Sequence, residues 1–291
     1  HKGYVGDRHG DWSAVSLYWL GRYFARGYPA PVWGCALRSV RAYFSALKES
    51  AWLAGSNDHL FWYNSYYEPI ETYMLLSGDR SGLESGYLQQ ALKTQDVLYT
   101  GRVPDWALNT ASLAWLNKTA YLTGDSRWLY YRDRTGLDTS VLRLGQSFWP
   151  APDFAPRPPT ELAGKWTIQP MPEPMWKGRR TGLPLEQSFL WGSYRTRPDE
   201  TGDFLLIDGF NGGGRNPYHT FAILEMRLAG VTALREYHNQ VLTSADGMVE
   251  PEVAMDSALR EAAVVGRTAF AVADVPKTPF CNWRRTVAMR E

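Results

Sequence analysis

Little in this sequence supplies a covalent staple, a membrane anchor or a strong electrostatic field. There are only two cysteines, Cys35 and Cys281, far apart and at no metal-binding spacing. A disulfide scaffold and a zinc module are both excluded, and the redox compartment is left open. No run of roughly 18 apolar residues occurs, so no membrane span is expected. The formal net charge is +1, which gives no global attraction to nucleic acid. A local basic groove for an acidic glycan is still compatible with it. Gly212-Gly-Gly214 follows a strand-like run, but what comes next also reads as strand, so no helix is aimed at a phosphate. With no His-x-x-x-His and few acids near His219, no cofactor is expected; a structural divalent ion is the one metal role left open.

What the chain does have is aromatic residues, 13 Trp and 17 Tyr against 21% charged residues. Such chains fill helical cores and also line grooves for cyclic ligands, carbohydrates among them. The first 148 residues read as helices at a 3.6-residue period: Trp12–Phe24, Val32–Leu47, His59–Leu76, Leu83–Tyr99, Trp106–Leu122 and Trp128–Leu144. Gly27, Gly78, Gly101 and Gly124 stand where helix C-caps belong. An internal echo links Tyr73-Met-Leu-Leu-Ser-Gly-Asp79 to Tyr121-Leu-Thr-Gly-Asp125. The spacing suits one helical hairpin repeated about an axis, with Gly as the left-handed cap and Asp opening the next helix.

From residue 149 to 185 the composition shifts, with nine of the 18 prolines. Proline lacks a donor and blocks helix continuation, so this stretch reads as a crossing segment held down by Trp166 and Trp176. Residues 186–291 then turn to short aromatic and β-branched runs: Ser188–Tyr194, Asp203–Asp208, His219–Leu228, Ala233–Thr243, Val264–Val275 and Phe280–Met289. Helices first and strands afterwards predict a segregated α+β protein with an antiparallel β-sandwich in its second half. The opening His1-Lys-Gly and the strand-like Thr286–Arg290 read as a fragment of a longer protein.

The centre of the pattern is Asp208-Gly-Phe-Asn-Gly-Gly-Gly-Arg-Asn-Pro-Tyr-His-Thr-Phe221. Its glycines let the backbone approach a ligand, and Asn211, Arg215, Asn216, Tyr218 and His219 offer amides, a cation, a phenol and an imidazole. A second cluster lies in the helical half: Asn57 and His59 at a helix start, followed by Trp62, Tyr63, Tyr66 and Tyr67. Tyr63 is four residues from both His59 and Tyr67, so the three can share a face. Ser56-Asn57-Asp58 is equally an ordinary N-cap, and the aromatic run equally a core stripe. His238 and Asn239 read as cross-strand partners.

Helical hairpins ending in Leu76-Ser-Gly-Asp79 and Leu122-Thr-Gly-Asp125, the strand Leu205-Leu-Ile-Asp-Gly209, Tyr218-His219 leading into Phe221–Gly230, and Phe280-Cys-Asn-Trp-Arg-Arg-Thr286 together resemble the heparinase II/III-like polysaccharide lyases and their alginate-lyase relatives. The resemblance implies an incomplete (α/α) toroid over residues 1–148, a β-sandwich over 186–291 and a substrate groove between them. It also implies β-elimination on a uronate-containing acidic polysaccharide, a Tyr and His division of labour, and a secreted or periplasmic location. The family motif Gly-His-x-Asp is replaced here by Tyr218-His219-Thr220-Phe221.

Such a reaction needs a donor on the uronate carboxylate, a base for the C5 proton and an acid for the leaving oxygen. His219 is the candidate base and Tyr67 the candidate acid, with Tyr66 or Tyr63 behind it. Asn57 or His59 would neutralise the carboxylate, and Arg215 would clamp it. Trp62, Tyr63, Asn211, Asn216 and Tyr218 are candidate substrate contacts. Two alternatives stand beside the lyase. One is a glycoside hydrolase, which needs two carboxylates about 5–9 Å apart, with Glu68, Glu71, Asp105 and Asp208 as candidates. The other is a non-catalytic glycan binder resting on aromatic platforms.

Overall fold

A computed structural model describes residues 8–46, 63–84, 86–99, 110–134, 153–171, 173–178, 182–210, 221–235, 256–275 and 283–290. The chain divides into two compact units. The first holds helices α1 (Arg8–Gly27), α2 (Pro31–Ala46), α3 (Tyr63–Ser77), α4 (Ser81–Glu84), α6 (Thr110–Thr123) and α7 (Arg127–Asp133), together with the start of α5 (Tyr87–Leu98). The second holds the end of α5, the short α8 (Glu173–Trp176) and every described strand.

The helical unit packs on the apolar stripes that the sequence pattern marks. Val15 and Tyr18 of α1 and Val40 and Phe44 of α2 are buried. Tyr73 of α3 receives both: it stacks on Phe44 at 4.1 Å and meets Tyr18 edge-on at 5.2 Å. Pro31 opens α2, where its missing N–H costs nothing. Polar side chains join α3 to α6. Thr119 donates to the Glu71 carboxylate, and the Lys118 ammonium donates to Thr72 Oγ1 at 2.8 Å, all four residues being buried.

The repeated hairpin ends are identical in their bonding. Ser77 Oγ donates to Tyr73 O at 2.7 Å and accepts from Asp79 N at 3.0 Å, and Asp79 Oδ1 accepts from Ser81 N at 2.9 Å. In the second copy Thr123 Oγ1 donates to Thr119 O at 2.7 Å, and Asp125 Oδ1 accepts from Arg127 N at 3.0 Å. Gly78 and Gly124 sit at φ 74° and 69°, the left-handed region that closes a helix without a Cβ penalty. Arg80, just after the first copy, donates to Leu122 O in the second at 3.0 Å.

Two expected elements are divided by glycines in the same conformation. Leu83–Tyr99 breaks at Gly86 (φ 77°) into α4 and α5. Val264–Val275 is the end of β6 (Ala258–Val265), a turn at Gly266 (φ 59°), and β7 (Thr268–Val275). The apolar period runs through both breaks, which is why periodicity alone joined them.

The second unit is built from antiparallel strands. Strands β1 (Lys165–Pro170), β2 (Phe189–Arg195), β3 (Phe204–Asp208), β4 (Ile223–Leu228) and β5 (Val231–Arg235) form a five-stranded meander in chain order. Strands β6, β7 and β8 (Trp283–Arg290) form a separate three-stranded sheet. Part of the proline-rich stretch is thus a strand: β1 pairs with β2 from Lys165↔Arg195 to Pro170↔Phe189, ending on a proline. Both sheets contribute to one core, Phe189, Tyr194, Leu205, Ile207 and Phe221 from the first meeting Ala269, Ala271, Ala273, Val287 and Met289 of the second. Gly192 admits this packing, since a Cβ there would lie 2.7 Å from Ile168 Cδ1. The segregated α+β class expected from the sequence is what the chain adopts.

Candidate functional site

The glycine-rich stretch leaves the five-stranded sheet at the end of β3 and returns at the start of β4. Its two ends are laced together. Asp208 N donates to Ala222 O at 3.1 Å, and Ala222 N donates to the Asp208 carboxylate at 2.8 Å. Gly209 N donates to Leu190 O, while Gly209 O accepts from both the amide and the hydroxyl of Ser257, each at 2.9 Å. Phe210 bridges Asp256. Only glycine fits at position 209, where a Cβ would stand 2.4 Å from Phe189 O and 2.6 Å from its ring. Phe221 is wholly buried at φ 60°, a conformation that costs a bulky residue about 1–3 kcal/mol and persists only where packing imposes it. Its ring meets Phe189 edge-on at 6.2 Å. The stretch therefore springs from a rigid, over-determined base.

Charge is arranged at that base as well. Asp208 is fully buried, and its carboxylate acts on Arg285 of β8. Burial pushes the Arg285 guanidinium below its ordinary value, and the Asp208 charge pulls it back. The neighbouring Arg284 points the other way and donates to Asp274 at 2.7 Å. Strand alternation thus divides the Trp-Arg-Arg run into one arginine for the base and one for the surface.

The face of the sheet opposite the shared core is buried and carries polar and charged side chains among apolar ones. Pairing sets Trp191, Ser193 and Arg195 beside Asp208, Leu206 and Phe204, and these beside Glu225 and Arg227. Glu225 and Arg227 form an ion pair at 3.2 Å with both side chains at most 3% exposed. Arg195 donates to the carbonyls of Asp96 and Val97 (3.1 Å for the latter) and to Ser193 Oγ at 2.9 Å. A cation thereby caps the C-terminal end of α5, where helix carbonyls lack partners. Nothing in a strand reading flags this layer except Arg195, Glu225 and Arg227 falling at strand positions that ought to be apolar.

Of the sequence candidates, Tyr63, Tyr66 and Tyr67 lie in the first two turns of α3, the helix tied to α6 through Glu71 and Thr72. Asn57, His59, Trp62, Asn211, Arg215, Asn216, Tyr218 and His219 lie outside the described residues, as do Asp105, His238 and Asn239. Two of the carboxylates considered for a hydrolase are structural. Asp208 is buried on Ala222 N, and Glu71 is buried on Thr119. Among the described residues no group of three or more His, Cys, Asp or Glu could hold a metal ion, and no helix is long and apolar enough to cross a membrane.

No protein-family model matches the sequence, and no curated protein matches it. Solved structures do match. The heparan sulfate lyase HepC from Pedobacter heparinus superposes at a TM-score of 0.53 with 10% identity, over 96% of this chain and 43% of that one. A mutant of the same lyase gives a TM-score of 0.52 and 11% identity, over 97% and 43%. The chain has the fold of part of a heparan sulfate lyase. That meets, at the level of fold, the distant resemblance to heparinase II/III-like lyases carried by the sequence motifs. The chain spans less than half the length of the solved structures it matches, and at this identity the likeness concerns the fold.

Proposed function

We propose that this chain is the part of a polysaccharide lyase that carries its acid–base residues, acting by β-elimination on a uronate-containing acidic polysaccharide. The observation that carries the reading is the fold likeness to a heparan sulfate lyase over nearly the whole chain. It is supported by the rigid base from which the stretch bearing Arg215, Tyr218 and His219 springs. In this reading the helical unit is an incomplete (α/α) toroid, the two sheets form a β-sandwich, and the protein is secreted or periplasmic. Residues 1–148, 149–185 and 186–291 are then the toroid part, the crossing and the sandwich.

The uronate carboxylate is neutralised by Asn57 or His59 and clamped by Arg215, which lowers the barrier to forming a carbanion beside it. His219 accepts the C5 proton. The C5–H electron pair becomes the C4=C5 double bond as the C4–O bond breaks, and the leaving oxygen takes a proton from Tyr67, or from Tyr66 or Tyr63. Trp62, Asn211, Asn216 and Tyr218 hold the flanking sugars. The residues suffice without a cofactor. The structural roles of Asp208 and Glu71 remove two of the four carboxylates considered for the hydrolase alternative and leave Glu68 and Asp105.

The test is incubation with heparan sulfate, alginate and ulvan, following ultraviolet absorbance of the unsaturated product together with new reducing ends. Both signals rise for a lyase, and His219→Ala lowers turnover by about 10²–10⁴ while binding is kept. Reducing ends without absorbance would replace the lyase by a hydrolase. Unchanged turnover in the variant would remove His219 from the mechanism.

A further inference from the structure

The helical unit carries an open cavity of about 700 Å³ at the C-terminal end of α1, with Leu76 near the end of α3 on its wall. Among the described lining residues, none is a tyrosine proposed as the acid. Leu76 is nine residues along α3 from Tyr67, roughly 14 Å at the helical rise.

The lining is a stripe of one helix. Trp19, Arg22, Tyr23 and Arg26 recur at the three- and four-residue spacing that puts side chains on a common face. Tyr18 and Tyr28 complete it. Three of the rings are presented to solvent, Tyr23 at 70% and Tyr28 at 68% exposure and Trp19 at 42%, while Tyr18 is buried at the back. Behind them Phe24 stacks on Trp33 at 5.0 Å and 18° and packs on Tyr23 and Tyr28, which stiffens the platform. Arg22 is pinned, donating to Leu76 O and lying 5.9 Å from the centre of the Tyr18 ring.

The charge of the site selects its ligand. Helix carbonyls converge here from the ends of α1 and α3, and their partial negative charge would repel an anion. Two guanidinium groups override it, and no carboxylate is among the described lining residues. In a chain of net charge +1 this is a local concentration of positive charge on a wall of exposed rings. Rings of this kind stack on the flat apolar face of a pyranose, and guanidinium groups take carboxylate or sulfate in forked hydrogen bonds.

We propose that this cavity is a second saccharide-binding site, for an acidic oligosaccharide, set apart along α3 from the tyrosines proposed as the acid and holding the polymer by another segment. The inference rests on the proposed function for the class of ligand. A polymer held at two places is retained by effective concentration, so the site serves long substrates.

The experiment is calorimetric titration of the intact chain with a heparan sulfate tetrasaccharide, comparing wild type, Tyr23→Ala/Arg26→Ala, Arg26→Lys and His219→Ala. Both substituted positions of the double variant are exposed, and circular dichroism checks that the fold is kept. Two binding events are expected for wild type and for His219→Ala. The double variant should show one, with the affected event weakened at least about tenfold, and Arg26→Lys should restore part of it. The affected event should weaken with added salt. An unchanged isotherm in the double variant overturns the site, as does wild type that binds no acidic saccharide. Binding that depends on Tyr23 and Arg26 in a protein that forms no unsaturated product upholds the site and removes the lyase reading. Product formation with an unchanged isotherm does the reverse.

Discussion

Removing the Asp208 carboxylate tests whether the glycine-rich stretch is held as the structure indicates. In Asp208→Ala the Ala222 amide loses its acceptor at 2.8 Å, and an orphaned buried N–H costs about 1–3 kcal/mol. Arg285 also loses the opposing charge that offsets its burial. Arg285 is only half-buried and feels the Asp208 charge without forming a fully buried ion pair, so this loss adds about 1 kcal/mol or less. The expected loss is about 3 kcal/mol. For a folding unit of roughly 150 residues that lowers Tm by about 6–12 °C. Asp208→Asn keeps an acceptor for Ala222 and loses only the charge, so about 1 kcal/mol or less is expected. Scanning calorimetry at pH 7 reads both, and hydrogen exchange at the Ala222 amide locates the effect. A shift below about 2 °C in the alanine variant, or equal shifts in the two variants, would show that the carboxylate does not hold the base.

Gly209→Ala places a methyl group 2.4 Å from Phe189 O, a backbone atom that cannot rotate away. A loss of about 2–3 kcal/mol is expected, read as a lower urea midpoint with an unchanged slope. In the helical unit Asp125→Ala removes the cap on Arg127 N, for about 1 kcal/mol at pH 7. Burial works to raise the Asp125 carboxyl, but hydrogen bonds and charge from Arg127, with Arg157, hold it below the ordinary carboxylate value. A depressed folded pKa stabilises above the unfolded pKa and loses that contribution as pH falls through the folded one. The gap between wild type and variant should therefore be full at pH 7 and close below about pH 4. A gap independent of pH would assign the loss to packing.

The amino-acid order alone determined the element types, because an apolar period of 3.6 or 2 states which face must leave water. It also determined the repeated hairpin ends, since Ser77-Gly78-Asp79 and Thr123-Gly124-Asp125 act through backbone bonds within a few residues. It marked where the glycine-rich stretch begins and ends. Contacts distant in the chain were beyond it. The Leu83–Tyr99 helix and the Val264–Val275 strand divide at glycines whose positive φ periodicity does not report. Lys165–Pro170 became a strand because β2 offered an edge, against the local preference of proline. Asp208 reads from sequence as one more acid at a strand end. Only the fold sets it near Ala222, Arg285 and Ser257-bound Gly209, because that placement depends on partners from stretches of chain far apart in sequence.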